Sequence, residues 1–325
     1  MSRATKRLGQ LVRVTTQKGA ELTGFYAPAD KDDLPTLIYT HGLSGNFDTN
    51  FNYNLLDLPE AQAFNILLTT STGHGNIATT RRGDPPAIRL TGSAFELFAD
   101  CVADIQAWIE FAAAQSPGPI VLWGHSLGAS KVTHYLAETR DPRVRALALA
   151  SPSDLPGGFS DNVGSDKVPG FIAMAQDYVA AGQPDKLMPD DCVIGLLRQR
   201  ISARTLLDRF AYDGPADVFD FYSRGSRRAF EDLAKIDRPI FVLYCKTGEL
   251  VGPRGVETAI QVIREKAVAA PAVEGLVVGG NHWYVGFEDE AMSGLIRWAA
   301  RALDIVCTGN LNPDGVMVKS AEDRV

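Results

Sequence analysis

An apolar run of strand length, Pro119-Ile120-Val121-Leu122-Trp123, leads directly into Gly124-His125-Ser126-Leu127-Gly128 and then into a helix-compatible stretch. Few features restrict a chain more. A serine held on a tight turn between a strand and a helix occupies an unfavourable backbone region and exposes its hydroxyl. That geometry brings the residues two before and two after the serine close together, where only small side chains fit. Gly124 and Gly128 meet the requirement.

The context is a repeating one. After an opening hairpin, Leu11 to Thr16 and Glu21 to Ala27 around Gln17-Lys18-Gly19-Ala20, apolar strand-like runs occur at Thr36 to Thr40, Phe64 to Thr70, Ile120 to Trp123, Val144 to Ala150, Ile240 to Tyr244 and Gly275 to Val278. Segments of helical period separate them, which predicts a mostly parallel α/β sheet with helices on both faces. One helix reads position by position. Phe98, Val102, Ile105, Trp108, Ile109 and Ala112 form a single apolar stripe, with Asp100, Asp104, Gln106 and Glu110 between them.

The rhythm breaks once, between Ser151 and Ile240, where roughly eighty residues replace one crossover helix. The expected organisation is a core at 1–157 and 239–307, a helical cap insertion at 158–238, and a polar tail at 308–325. Helical pieces are expected near Phe171 to Ala181 and Val193 to Phe210. Aromatics at Phe159, Phe171, Tyr178, Phe210, Tyr212, Phe219, Phe221 and Tyr222 either face a ligand at the carboxyl ends of the strands or form the insertion's own core.

Composition removes several classes of function. The formal net charge is −7 and the basic residues are scattered, which argues against nucleic acid as a partner. Cys101, Cys192, Cys245 and Cys307 form no C-x-x-C pair, so neither a metal site nor a disulfide framework is expected, only reduced buried thiols. The basic start lacks a signal-peptide core and no apolar run approaches a membrane span, so a cytoplasmic protein without membrane association is expected.

A serine hydroxyl needs an imidazole base and a carboxylate to orient it. Of five histidines, His282 in Asn281-His282-Trp283 follows the last strand and Gly279-Gly280, on the sheet edge that carries Ser126. His125 should point away from the cleft, His134 belongs to a helix surface, and His74 is a loop residue. Glu249 is the natural candidate for the carboxylate and Asp154 the alternative. Glu249 ends the turn after Ile240 to Tyr244, and Asp154 in Ser151-Pro152-Ser153-Asp154 follows the preceding strand. Oxyanion donors are expected from the Leu127 N–H, at a helix start, and the Leu43 N–H in Thr40-His41-Gly42-Leu43-Ser44-Gly45-Asn46.

With these residues in place, the chain resembles an α/β-hydrolase from the opening hairpin to the helix after His282. The order Ser, Glu, His is the one that fold uses. The segments His41 to Phe47, Gly124 to Lys131, Ser151 to Asp154 and Asn281 to Tyr284 are similar to a group that includes siderophore-ester hydrolases, and the first also resembles the oxyanion turn of cinnamoyl and feruloyl esterases. The resemblance implies catalysis by Ser126, His282 and an acid at Glu249, with Leu43 and Leu127 as the oxyanion hole. A small-molecule ester cleaved through an acyl-enzyme without a cofactor or metal is expected, and the aromatics of the insertion, read as facing the ligand, suggest a small to medium-sized apolar or aromatic ester rather than a long lipid. Amide, thioester or lactone cleavage would use the same groups, and a ligand-binding receptor with a vestigial triad is the alternative from another class.

Overall fold

The computed structural model describes residues 8–304 except 32, 49, 83 and 84. Cys307 and the expected polar tail lie outside the described residues. The described residues form ten strands: β1 (Gln10–Thr15), β2 (Glu21–Ala27), β3 (Thr36–Thr40), β4 (Asn65–Thr69), β5 (Ala78–Arg82), β6 (Ala87–Thr91), β7 (Ile120–His125), β8 (Val144–Ala150), β9 (Ile240–Cys245) and β10 (Val273–Val278). Eight of them form one sheet in the order β1-β2-β4-β3-β7-β8-β9-β10. The pairings β1-β2 and β2-β4 are antiparallel, and from β4 to β10 every pairing is parallel. The short ribbon β5-β6 stands apart, and its threonine- and arginine-rich strands carry no apolar run that would announce them.

The helices are α1 (Asn50–Asp57), α2 (Asp100–Gln115), α3 (Leu127–Thr139), α4 (Leu155–Val163), α5 (Val168–Ala180), α6 (Ala203–Phe210), α7 (Glu231–Ala234), α8 (Gly255–Lys266) and α9 (Glu288–Ala302). Side chains alternate across each strand, so β7 feeds both faces: Ile120 and Leu122 join the apolar cluster under α2 and α3, while Val121 and Trp123 join the one under α1 and α9. Among the described residues no helix is long and apolar enough to cross a membrane.

Two expectations change. The apolar stripe is buried as read except at Val102, which is half-buried, and Asp100 and Asp104 are buried too, with Lys18 paired to the first and the Thr72 N–H and hydroxyl donating to the second. Of the stretch from Val193 to Phe210, only α6 is helical; Ile194 and Gln199 pair instead as the foot of a small hairpin, with Gly195 and Arg198 at positive φ. The segment between β8 and β9 is not separately cored. Phe159, Phe171, Phe210, Phe219 and Phe221 share one apolar cluster with Phe98, Ile109 and Leu136.

Candidate active site

The register of the sheet brings five strand ends to one edge. Thr40 pairs with Gly124, His125 with Ala150, Ala150 with Leu243, and Val278 with Cys245. The turns that follow β3, β7, β9 and β10 carry Leu43, Ser126, Glu249 and His282, so parallel topology alone collects them.

Ser126 has φ 56° and ψ −122°, outside the regions an L-residue prefers, and immediately precedes α3. The glycine requirement is explicit. A Cβ at position 124 would lie 2.3 Å from the Gly128 carbonyl oxygen, and one at 128 would lie 2.3 Å from the Thr40 oxygen. Leu127 opens α3, and the first N–H groups of a helix have no partner within it. The turn after β3 presses on the serine, since a side chain at Gly42 would meet Ser126 Cβ at 2.9 Å. Gly45 N–H closes that turn onto the Gly42 carbonyl at 3.1 Å, which leaves the Leu43 N–H out of the bond.

His282 donates from Nδ1 to Glu249 Oε2 at 2.7 Å, with the two side chains 5% and 2% exposed. A carboxylate only accepts, so Nδ1 carries the proton of this bond. Glu249 is itself held: Oε1 accepts from the Cys245 N–H at 2.9 Å and from Ser151 Oγ at 2.7 Å. Ser151 has spent its single proton there, so the buried Tyr284 hydroxyl donates to Ser151 at 2.9 Å. Thr247 donates to the Gly280 carbonyl at 2.8 Å and ties the acid's turn to the histidine's.

Asp154 has other partners. It accepts from the Gly157 N–H as the cap of α4, from the Tyr222 N–H, and from the Arg224 guanidinium. Burial nevertheless pushes its carboxyl up to about 6. His125 donates to the His282 carbonyl at 2.9 Å and packs against Phe51 and Tyr284; burial lowers it to about 3 and keeps it neutral. His134 pairs with Asp232, which also meets Arg228 and Lys235. His74 Nδ1 bonds the Ser71 carbonyl.

A cavity of about 80 Å³ joins Ser126 and His282 to Leu43, Leu250 and Trp283, with Leu155, Phe159, Phe210, Leu196, Leu197 and Gln199 from the segment between β8 and β9. No charged side chain lines it among the described residues. Two of the insertion aromatics therefore face it. Phe219 and Phe221 instead stack on each other at 5.4 Å, and Tyr222 bonds Asp161. A larger hollow of about 870 Å³ lies at the amino ends of the strands, around Pro119, Arg143 and Arg238, and holds none of these groups.

Sequence reading missed one buried cluster beside the site. Glu96, 1% exposed, accepts from Lys131 at 2.6 Å and from Arg209 at 2.7 Å; Lys131 also donates to Ser71 Oγ at 3.1 Å. Ser71 in turn gives its N–H to His41 Nε2 at 3.0 Å, so the His41 proton is on Nδ1 and bonds the Gly42 carbonyl at 2.7 Å. Lys131, five residues after the serine on a helix otherwise small and apolar there, was the available signal.

The sequence matches the profile of the alpha/beta hydrolase family over residues 37–294. A sequence search of curated proteins finds no match. Among solved structures, DcsB in complex with a substrate analogue is 15% identical, with TM-score 0.64, over 91% of this chain and 99% of that one. Est1E from Butyrivibrio proteoclasticus is 12% identical, with TM-score 0.58, over 90% and 99%. Esterase Pf2001 from Pyrococcus furiosus is 17% identical, with TM-score 0.55, over 91% and 92%. At such identities the likeness is one of fold, whereas the profile covers most of the chain. The chain belongs to the alpha/beta hydrolase family.

Proposed function

We propose that the protein is a serine hydrolase that cleaves a carboxylic ester through an acyl-enzyme. The observation that carries this reading is the buried bond from His282 to Glu249 at the sheet edge where Ser126 occupies its strained turn. Ser126 Oγ adds to the ester carbonyl as His282 Nε2 takes its proton. The carbonyl oxygen becomes an oxyanion that accepts from the Leu43 and Leu127 N–H groups. Collapse breaks the bond to the alcohol, which leaves with the proton from His282. Water, deprotonated by the same nitrogen, then releases the acid and restores Ser126. Glu249 fixes the tautomer and stabilises the imidazolium.

The cavity points to an uncharged substrate. Its volume of about 80 Å³ is far below that of pockets for drug-sized ligands, roughly 300 Å³ and above, and so favours a short acyl group. Phe159, Phe210 and Trp283 supply aromatic faces there, and Est1E has been solved with ferulic acid bound, which supports aromatic esters as part of the range. The purified protein should hydrolyse p-nitrophenyl acetate faster than the octanoate, with Ser126→Ala inactive on both. A cinnamoyl ester tests the aromatic walls. Fastest turnover on octanoate would overturn the substrate reading, and equal turnover by Ser126→Ala would overturn the mechanism.

A further inference from the structure

The turn that presents the Leu43 N–H contains an expensive residue. Ser44 has φ 55°, in the left-handed region that favours glycine, at the third position of the Gly42 to Gly45 turn where such turns demand positive φ. Something must hold a serine there. Its hydroxyl donates to Gln199 Oε1 at 2.6 Å, and having spent its one proton it accepts from Ser93 Oγ. Ser93 accepts in turn from Asn76 Nδ2 at 3.1 Å. A directed chain therefore runs from Asn76 through Ser93 and Ser44 to Gln199.

Gln199 is not part of the core. It belongs to the hairpin between β8 and β9, where its backbone N–H donates to the Ile194 carbonyl at 2.8 Å and its carbonyl accepts from the Ile194 N–H at 3.0 Å. Those two bonds fix where its side chain reaches. The hairpin also rests on the turn directly, since a Cβ at Gly195 would come within 2.5 Å of Leu43 Cδ2. The strands of this attachment continue along the chain: Asn76 Nδ2 donates to the Arg200 carbonyl at 2.9 Å, the Ser202 N–H donates to the Ala94 carbonyl at 2.9 Å, and Arg209 donates to the Ser93 carbonyl at 3.1 Å.

We propose that Gln199 is a positioning residue: its bond to Ser44 holds the oxyanion turn in the conformation that aims the Leu43 N–H at the reacting carbonyl, so the inserted hairpin completes the catalytic site as well as covering it. The inference rests on the serine hydrolase reading. An oxyanion donor acts only when it is placed for the transition state, so its loss lowers kcat while KM stays nearly unchanged.

The test is a mutant cycle on the full chain with p-nitrophenyl acetate, beside thermal melts. Gln199→Ala should lower kcat by about tenfold to a hundredfold, the scale of a donor displaced by around an ångström, with KM within about threefold. Ser44→Ala should lose a similar factor, and the double variant should lose little more than either, because one bond is removed once. Ser44→Gly accepts positive φ without strain yet cannot bond Gln199, so it should fold and lose the same factor. Additive losses, a rise in KM at constant kcat, or a fully active Ser44→Gly would each overturn the proposal. Wild-type turnover that vanishes in Ser126→Ala establishes the underlying reading independently, and its absence would refute that reading rather than the role of Gln199.

Discussion

Glu96 and Glu249 are both buried carboxylates at the same sheet edge, 1% and 2% exposed, yet their surroundings are opposite in kind. Glu96 lies between two permanent cations, Lys131 and Arg209, and although burial alone would raise its pKa, those cations outweigh it and hold the carboxyl below its usual range. Glu249 meets an imidazole, a hydroxyl and one backbone N–H, groups that orient a carboxylate without a fixed positive charge. A carboxylate neutralised by permanent cations has no reason to respond when charge develops nearby. One facing an imidazole gains strength when that ring takes a proton, which is what catalysis asks of it. Asp154 also meets a permanent cation, Arg224, but there burial outweighs the cation and holds the carboxyl up at about 6.

Substitutions can break the contrast. The proposed mechanism makes Ser126 and His282 one unit, so changing either to Ala should lower turnover by roughly four to six orders of magnitude, and changing both should cost little more. Additive losses would refute their pairing. Glu249→Gln should cost about a thousandfold in kcat, since the amide cannot fix the same tautomer, whereas Asp154→Asn should leave kcat within roughly tenfold. The reverse pattern would exchange their roles.

Glu96→Gln tests the other half. It leaves Lys131 and Arg209 buried without a compensating charge, which should lower the free energy of unfolding by about 3 to 5 kcal/mol in urea titrations. Abolished turnover at an unchanged unfolding midpoint would erase the distinction between the two acids.

The smallest effect concerns pH. His125 binds a proton below about 6.5 when unfolded but only below about 3 when folded, so it lowers stability as pH falls through that window. His125→Gln can still donate to the His282 carbonyl but does not titrate. The stability advantage of wild type over this variant should shrink by about 1.4 kcal/mol per pH unit well below pH 6.5. Unfolding curves between pH 6 and pH 4 that keep the gap constant would contradict a buried neutral His125.

What was legible in the chain and what was not divide along physical lines. The central parallel strands β3, β4, β7, β8 and β9 are apolar runs because both their faces are buried, and the serine turn is legible because its glycines answer to a local steric demand. Parallel pairing of those strands and β10 then gathers Leu43, Ser126, Glu249 and His282 at one edge. The ribbon β5-β6 escaped because polar, half-exposed strands lack that signal. The hairpin at Ile194 and Gln199 escaped because a short segment near a true helix copies its composition. The choice between Glu249 and Asp154 lay beyond local reading, since both follow strands at the same edge and only long-range partners separate them: His282 in one case, Tyr222 and Arg224 in the other. The Ser44 bond to Gln199 spans 155 residues and leaves no periodic trace.

Covalent trapping shows whether Ser126 is an activated nucleophile. Intact-mass measurement after treatment with a fluorophosphonate, followed by peptide mapping, should show one adduct per chain, on Ser126, lost in Ser126→Ala and formed far more slowly in His282→Ala. An unmodified wild-type protein, or an adduct that persists when Ser126 is replaced, would contradict the account.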